Sequence, residues 1–238
     1  MLLWIGGFLS ALVSGITGMA GGTLLLSILS VLYDPITSIA LHGMLQVFAN
    51  LSRVFLFLQS VSWSHVLKFV ILAIPGAYLG ARVQSFFSPE TLKALLGVLI
   101  LYVALKPSRK NTATNRQEFI FVPLGFVSGF LGMIIGVTGP LLAPFFLRAG
   151  LIKERFVATK ALCQFIVQLI KVAFFATLLQ FDYTLHTSEI FFVTIMILVG
   201  TFCAKKLLPF VSERIFIFIL KGILTILGIK LLLSHLLS

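Results

Sequence analysis

Two sets of polar side chains recur at one spacing inside otherwise apolar stretches. His42, Gln46, Asn50 and Arg53 stand at i, i+4, i+8 and i+11, and Lys160, Gln164, Gln168 and Lys171 repeat that pattern. On a helix turning about 100° per residue, such positions share roughly 80° of one face. Each set therefore makes a donor-rich stripe on an apolar helix. Burying such groups is costly unless something pairs with them. Hydrogen bonding between helices accounts for amides, and snorkelling accounts for Arg53 and Lys171, which lie within about two turns of a helix end. Two matched stripes point further, to groups that face a shared cavity and a ligand.

Two glycine blocks supply a second kind of chemistry. Gly18-Met19-Ala20-Gly21-Gly22 and Gly136-Val137-Thr138-Gly139-Pro140 each interrupt a long charge-free stretch. Glycine weakens a helix. A half-helix starting at Gly21-Gly22 or at Gly139-Pro140 would present free backbone N–H groups and a positive dipole end, the makings of an anion site. Thr17, Thr23 and Thr138 would add hydroxyls, and the glycines would let a ligand approach the backbone. The plainer reading of each glycine is a turn or a tight packing contact. All seven acidic residues (Asp34, Glu90, Glu118, Glu154, Asp182, Glu189, Glu213) fall in or beside expected loops. No carboxylate is placed to coordinate Na⁺ or relay protons, and no His/Cys/Asp cluster has metal-ligand spacing. Neither H-E-x-x-H, G-x-S-x-G nor a P-loop occurs. Donors and positive charge without acids suit an anion. They argue against an enzyme, a resident metal or a cofactor.

The elements that hold these groups must be membrane spans. Of 238 residues, 59% are hydrophobic and only 11% charged, against about 45–50% and 25% in a soluble domain. That excludes a soluble enzyme, a disordered regulator and a disulfide-stapled secreted domain. The net charge of +11 is read as cytoplasmic loop charge rather than as a nucleic-acid surface. Cys163 and Cys203 lie in apolar runs and say nothing about redox compartment. The N-terminal stretch MLLWIGGFLS lacks a basic region and reads as membrane segment rather than signal peptide.

The chain reads as a repeat. An offset of 118 residues pairs Gly18 with Gly136, Gly21 with Gly139, His42 with Lys160, and Gln46 with Gln164; later an offset of 124 pairs Gly76 with Gly200. The expected first repeat covers 1–105, with a hairpin over 2–33 and helices over 36–58, 63–84 and 90–106. A polar cytoplasmic linker covers 106–118. The second repeat covers 119–238, with a hairpin over 119–147 and helices over 155–178, 188–205 and 214–233. If 119–147 crossed the membrane once as a kinked helix, every later loop in that half would violate the positive-inside rule. If it turns back at its glycines, Arg148, Lys153, Arg155, Lys205, Lys206 and Arg214 fall inside, and Asp182 and Glu189 outside. In the first half Asp34 and Lys68 agree, whereas Arg82 and Lys93 fall outside. The expectation is an all-α polytopic membrane protein of two inverted repeats, each a re-entrant or broken hairpin plus three spans. That is a recurrent transporter architecture.

The chain resembles the TauE/SafE family of sulfite and organosulfur-anion exporters. The resemblance rests on the repeated glycine pattern over Gly7–Gly22 and Gly125–Pro140, on Ala158-Thr159-Lys160, and on Gly76–Arg82 with its Gly-Ala-x-x-Gly-Ala-Arg ending. The chain departs from the pattern at Ala20, Thr138 and Pro140, and proline has no N–H to offer. The resemblance implies an inner-membrane carrier of small sulfur-containing or carboxylate anions, commonly outward. A substrate would sit near the midplane between Gly18, Gly21, Gly22, Gly136, Thr138 and Gly139 and the two stripes. An inside-negative potential favours outward anion movement by roughly 2.3 kcal/mol per charge per 100 mV. The expected partners are a small anionic substrate and the bilayer, with no nucleic acid; a homo-oligomer is compatible with the sequence. His42 titrates nearest neutrality within the stripes and would be a route for proton coupling. The alternatives are a non-transporting membrane scaffold or subunit, with the stripes as helix–helix glue, and an anion channel.

Overall fold

The computed structural model describes residues 2–83 and 119–236. The expected helix 90–106 and the linker 106–118 lie outside the described residues. Within them all regular structure is helical: α1 (Leu2–Thr17), α2 (Gly21–Leu32), α3 (Pro35–Leu56), α4 (Trp63–Val83), α5 (Phe121–Ile134), α6 (Gly139–Arg148), α7 (Lys153–Thr177), α8 (Thr187–Leu207) and α9 (Glu213–Leu236). Short 3₁₀ turns flank α8 and follow α3. Four helical stretches are long and apolar enough to cross a membrane: Pro35–Leu56, Trp63–Val83, Lys153–Thr177 and Tyr183–Phe210. At 1.5 Å per residue α1 reaches only about 24 Å and α6 about 15 Å, short of a hydrocarbon core of about 30 Å.

Both charge-free stretches break at their glycine blocks. Gly18 and Gly136 take the left-handed region, with φ of 70° and 83°. Ala20 also has positive φ, 66°, and the Gly21 N–H closes a tight turn over it by donating to the Met19 carbonyl at 2.8 Å. α2 then folds back along α1. Gly21 lies against the Ser10 carbonyl and Gly6 against Ile28, so the contacts run antiparallel. The second break is longer, and Pro140 in the first turn of α6 suits a helix start. α3 begins where Asp34 accepts from the N–H groups of Ile36 and Thr37, at 3.0 and 3.1 Å. The Thr37 side chain, followed by these N–H groups, holds the Asp34 carboxyl below its ordinary value.

Packing crosses between the halves. Gly7 of α1 lies against Val193 of α8 and Gly15 against Ala204, so α1 and α8 run parallel. Gly125 and Gly129 of α5 lie against the backbone of Phe69 and Ala73 of α4, and Gly76 and Gly80 against Phe126 and Phe130; these two helices are also parallel. Small residues four apart on facing helices permit such close approach. At the centre, α3 and α7 run antiparallel. Gly43 meets Lys171, and the Ser62 N–H after α3 donates to the Thr159 hydroxyl near the start of α7, at 2.9 Å. The outer surface carries Phe210, Phe218, Val31 and Phe55, all at least 71% exposed, an apolar belt suited to lipid rather than water.

Candidate functional site

The two broken tips and the two polar stripes meet in one cavity between α3 and α7. Its lining includes Ser14, Met19, Ala20, Gly22, Thr23, His42 and Gln46 from one half, and Val137, Thr138, Gly139, Pro140, Lys160, Gln164 and Gln168 from the other. The cavity is tightly lined, with room for about 10 Å³, about the least that holds one water molecule. A Cβ at Gly22 would come within 3.6 Å of the His42 and Gln46 ring and amide nitrogens. One at Gly139 would lie 3.3 Å from the Gln164 amide and 3.5 Å from the Lys160 ammonium. At these two positions the missing side chain leaves room for a ligand.

Each buried lysine holds one glycine turn. The Lys160 Nζ donates to the Gly18 carbonyl and to Gln164 Oε1, both at 2.6 Å. The Lys171 Nζ donates to the Gly136 carbonyl at 3.1 Å. Gly18, Gly21 and Gly136, expected to offer N–H groups to an anion, do not line the cavity. The reason is local: the Gly18 and Gly21 N–H groups are spent on the Ser14 and Met19 carbonyls. At Gly18 and Gly136 the turn faces a carbonyl toward a lysine. The N–H groups left without an intrahelical partner belong to the first turns of α2 and α6.

Asn50, Arg53 and Lys171 are buried on the same helix faces but do not line the cavity. Asn50 donates to the Gln46 carbonyl at 2.8 Å, and the Arg53 Nε to the Ala49 carbonyl at 2.9 Å. Arg53 nevertheless lies close enough to Lys160 for the two charges to interact, as Lys171 does to His42. Each turn carbonyl thus meets one buried lysine with a second basic side chain nearby: Arg53 beside Lys160, and His42 beside Lys171. The carboxylates of the described residues are far from balancing them: Asp34, Glu154, Asp182, Glu189 and Glu213 are none of them buried.

Several polar atoms lack partners. Thr138 Oγ1, Gln168 Oε1, Asn50 Oδ1, Arg53 Nη2 and both His42 ring nitrogens are buried without a hydrogen bond among the described residues. The backbones of Gly22 and Gly136 lie beside the imidazole, with no contact of good hydrogen-bond geometry. Of the three threonines expected to supply hydroxyls, two are occupied. Thr17 donates within its own half to the Val13 and Met19 carbonyls, and Thr23 to the Ala20 carbonyl. Only Thr138 keeps its hydroxyl free. Ser14 is a cavity residue that sequence reasoning missed, because serine in an apolar helix gives no signal of its own. Among the described residues, no three of His, Cys, Asp or Glu gather to hold a metal ion.

A family model described as Sulfite exporter TauE/SafE matches residues 3–231. No curated protein and no solved structure matches the chain.

Proposed function

This chain belongs to the TauE/SafE sulfite exporter family, and from that premise we propose that it moves a small sulfur oxyanion by alternating access to the cavity between its two broken tips. The family is one of membrane transporters, and this is a multi-pass membrane protein of anion-transport type. The observation that carries the site is the cavity itself. It joins a buried lysine, three amides, a free hydroxyl and two helix starts, with no buried carboxylate among the described residues. Lys160 supplies charge. Gln46, Gln164 and Gln168 orient oxygens, and the α2 and α6 N-termini add backbone donors.

Cross-half packing supports the inverted-repeat reading. α1 pairs with α8 as α5 pairs with α4, both in parallel, while the central helices α3 and α7 oppose one another. The tips, short of a full crossing, are read as re-entrant hairpins whose non-helical backbone is covered by protein. Rocking one half against the other would open the cavity to either side. The basic ends of α7, α8 and α9 are read as cytoplasmic, and the linker 106–118 with them. The membrane is then the plasma membrane, and export follows the potential.

The test is saturable sulfite efflux from proteoliposomes holding the purified protein, with Lys160→Ala alongside. The variant is expected to retain its fold and lose flux. Unchanged flux in Lys160→Ala would move the site elsewhere. Unitary conductance without saturation would make the protein a channel. Absence of flux for every tested anion, with earlier melting of Lys160→Ala, would make the stripes structural.

A further inference from the structure

Arg53 of α3 and Lys160 of α7 are both buried where these helices run antiparallel, in the register that sets Gly43 against Lys171 and Ser62 beside Thr159, and among the described residues no buried carboxylate balances them. The guanidinium stays protonated under all ordinary conditions. The Lys160 Nζ makes two hydrogen bonds of 2.6 Å, to the Gly18 carbonyl and to Gln164, both neutral amide oxygens. Arg53 is 2% exposed and Lys160 1%. Arg53 spends its Nε on its own helix, and its Nη2 has no partner. Two like charges in a low-dielectric interior are unfavourable unless an anion compensates both. The unpartnered Thr138 hydroxyl and Gln168 amide, both at least 97% buried, lie on the wall of the same cavity.

From this juxtaposition we infer that the site selects its substrate by charge, preferring a divalent oxyanion to a monovalent one of similar size, and that Arg53 sets this preference through its field rather than by contact. The inference rests on the carrier reading above and adds to it. Lys160 and the cavity donors hold the ion. Arg53 stands outside the lining and adds the second positive charge. A dianion neutralises the pair, whereas a monoanion leaves one charge uncompensated. Sulfite itself gains or loses a proton near neutral pH, so only its fully deprotonated form would be taken up well.

The experiment uses probes whose charge is fixed near neutrality: sulfate as the dianion and methanesulfonate as the monoanion. Each is placed with sulfite inside proteoliposomes, and the concentration that halves sulfite efflux is measured. Sulfate is expected to compete at a concentration lower by about tenfold or more. Arg53→Gln should bring the two within about twofold, and Arg53→Lys should restore most of the gap. Equal competition in the parent protein, or an undiminished gap in Arg53→Gln, would overturn the inference. A parent protein that moves no sulfite at all would instead defeat the carrier reading. Should Arg53→Gln fail to fold, thermal shifts of the purified parent decide. A larger shift with sulfate than with methanesulfonate at equal ionic strength is required, and equal shifts reject the charge preference.

Discussion

Thr138 and Thr17 are both buried, yet their hydroxyls have opposite fates, and the difference can be measured. Thr17 donates to the Val13 and Met19 carbonyls, at the end of α1 and in the turn after it. Thr17→Val should therefore lower stability on the order of 1 kcal/mol. Thr138 Oγ1 has no partner among the described residues. Thr138→Val should keep or slightly raise thermal stability while transport efficiency falls about tenfold or more, because a hydrogen bond to a charged ligand is lost. A variant that melts early and transports normally would assign that hydroxyl to the fold. Ala20 offers a third readout. Its φ of 66° and ψ of −37° belong to a turn that costs a side chain about 1–3 kcal/mol. Ala20→Gly should raise stability by about 1 kcal/mol, read as an upward shift of the melting temperature. No upward shift would show that the cavity wall needs the methyl group more than the turn resents it.

The helices meet through glycine, and substitutions there should separate sharply by position. At Gly129 a Cβ would run into the Ala73 carbonyl, with the Ala77 nitrogen close behind. Gly129→Val should cost on the order of 3 kcal/mol and disrupt the α4–α5 pair. Among the described residues nothing lies within 4 Å of a Cβ at Gly222 of α9, so Gly222→Ala should be neutral or gain up to about 1 kcal/mol from helix propensity. Chemical denaturation in detergent compares the two; equal effects would show that the α4–α5 contact is not what holds the pair. The breaks at these elements were legible in the sequence, because Gly18–Gly22 and Gly136–Pro140 punctuate charge-free runs too long for one span. The stripe was legible through its spacing, and α3 and α7 do bring His42, Gln46, Lys160, Gln164 and Gln168 to one cavity. The helix partners were not. Glycines on α1, α4, α5 and α8 mark faces of close approach without saying which face meets which. The direction of the turn peptides was hidden too. Sequence shows that Gly18 can adopt positive φ, but only the fold shows its carbonyl meeting a lysine that lies 142 residues away along the chain.

Among the described residues, charge is largely sorted by end. Arg155 stands at the start of α7, near the loop after α3, where the Ser62 N–H donates to the Thr159 hydroxyl, and the Lys205 ammonium lies 5.9 Å from the Phe57 ring at the end of α3. Asp34 and Asp182 lie at the other end, where Tyr33 and His186 meet ring to ring at 5.6 Å. Among the described residues the sorting is not complete: Arg82 stands at the end of α4 over the Tyr78 ring, and Glu154 and Glu213 sit beside Arg155 and Arg214. Single cysteines at Arg155 and Asp182, in a background with Cys163 and Cys203 replaced by alanine, should report the orientation. A membrane-impermeant maleimide added to intact cells should label the Asp182→Cys protein and spare the Arg155→Cys protein until the cells are opened. The reverse pattern would invert the molecule and with it the proposed direction of transport.

The parallel pairing of α1 with α8 also has a consequence for biosynthesis. The ribosome makes the α1–α2 hairpin first, but the helix that receives its glycine face, at Gly7 and Gly15, comes close to 200 residues later. At about 5–20 residues per second that interval is roughly ten to forty seconds. Throughout it the nascent hairpin stands without the helix that covers its glycine face. The early intermediate, with that face open, is therefore the vulnerable species of synthesis.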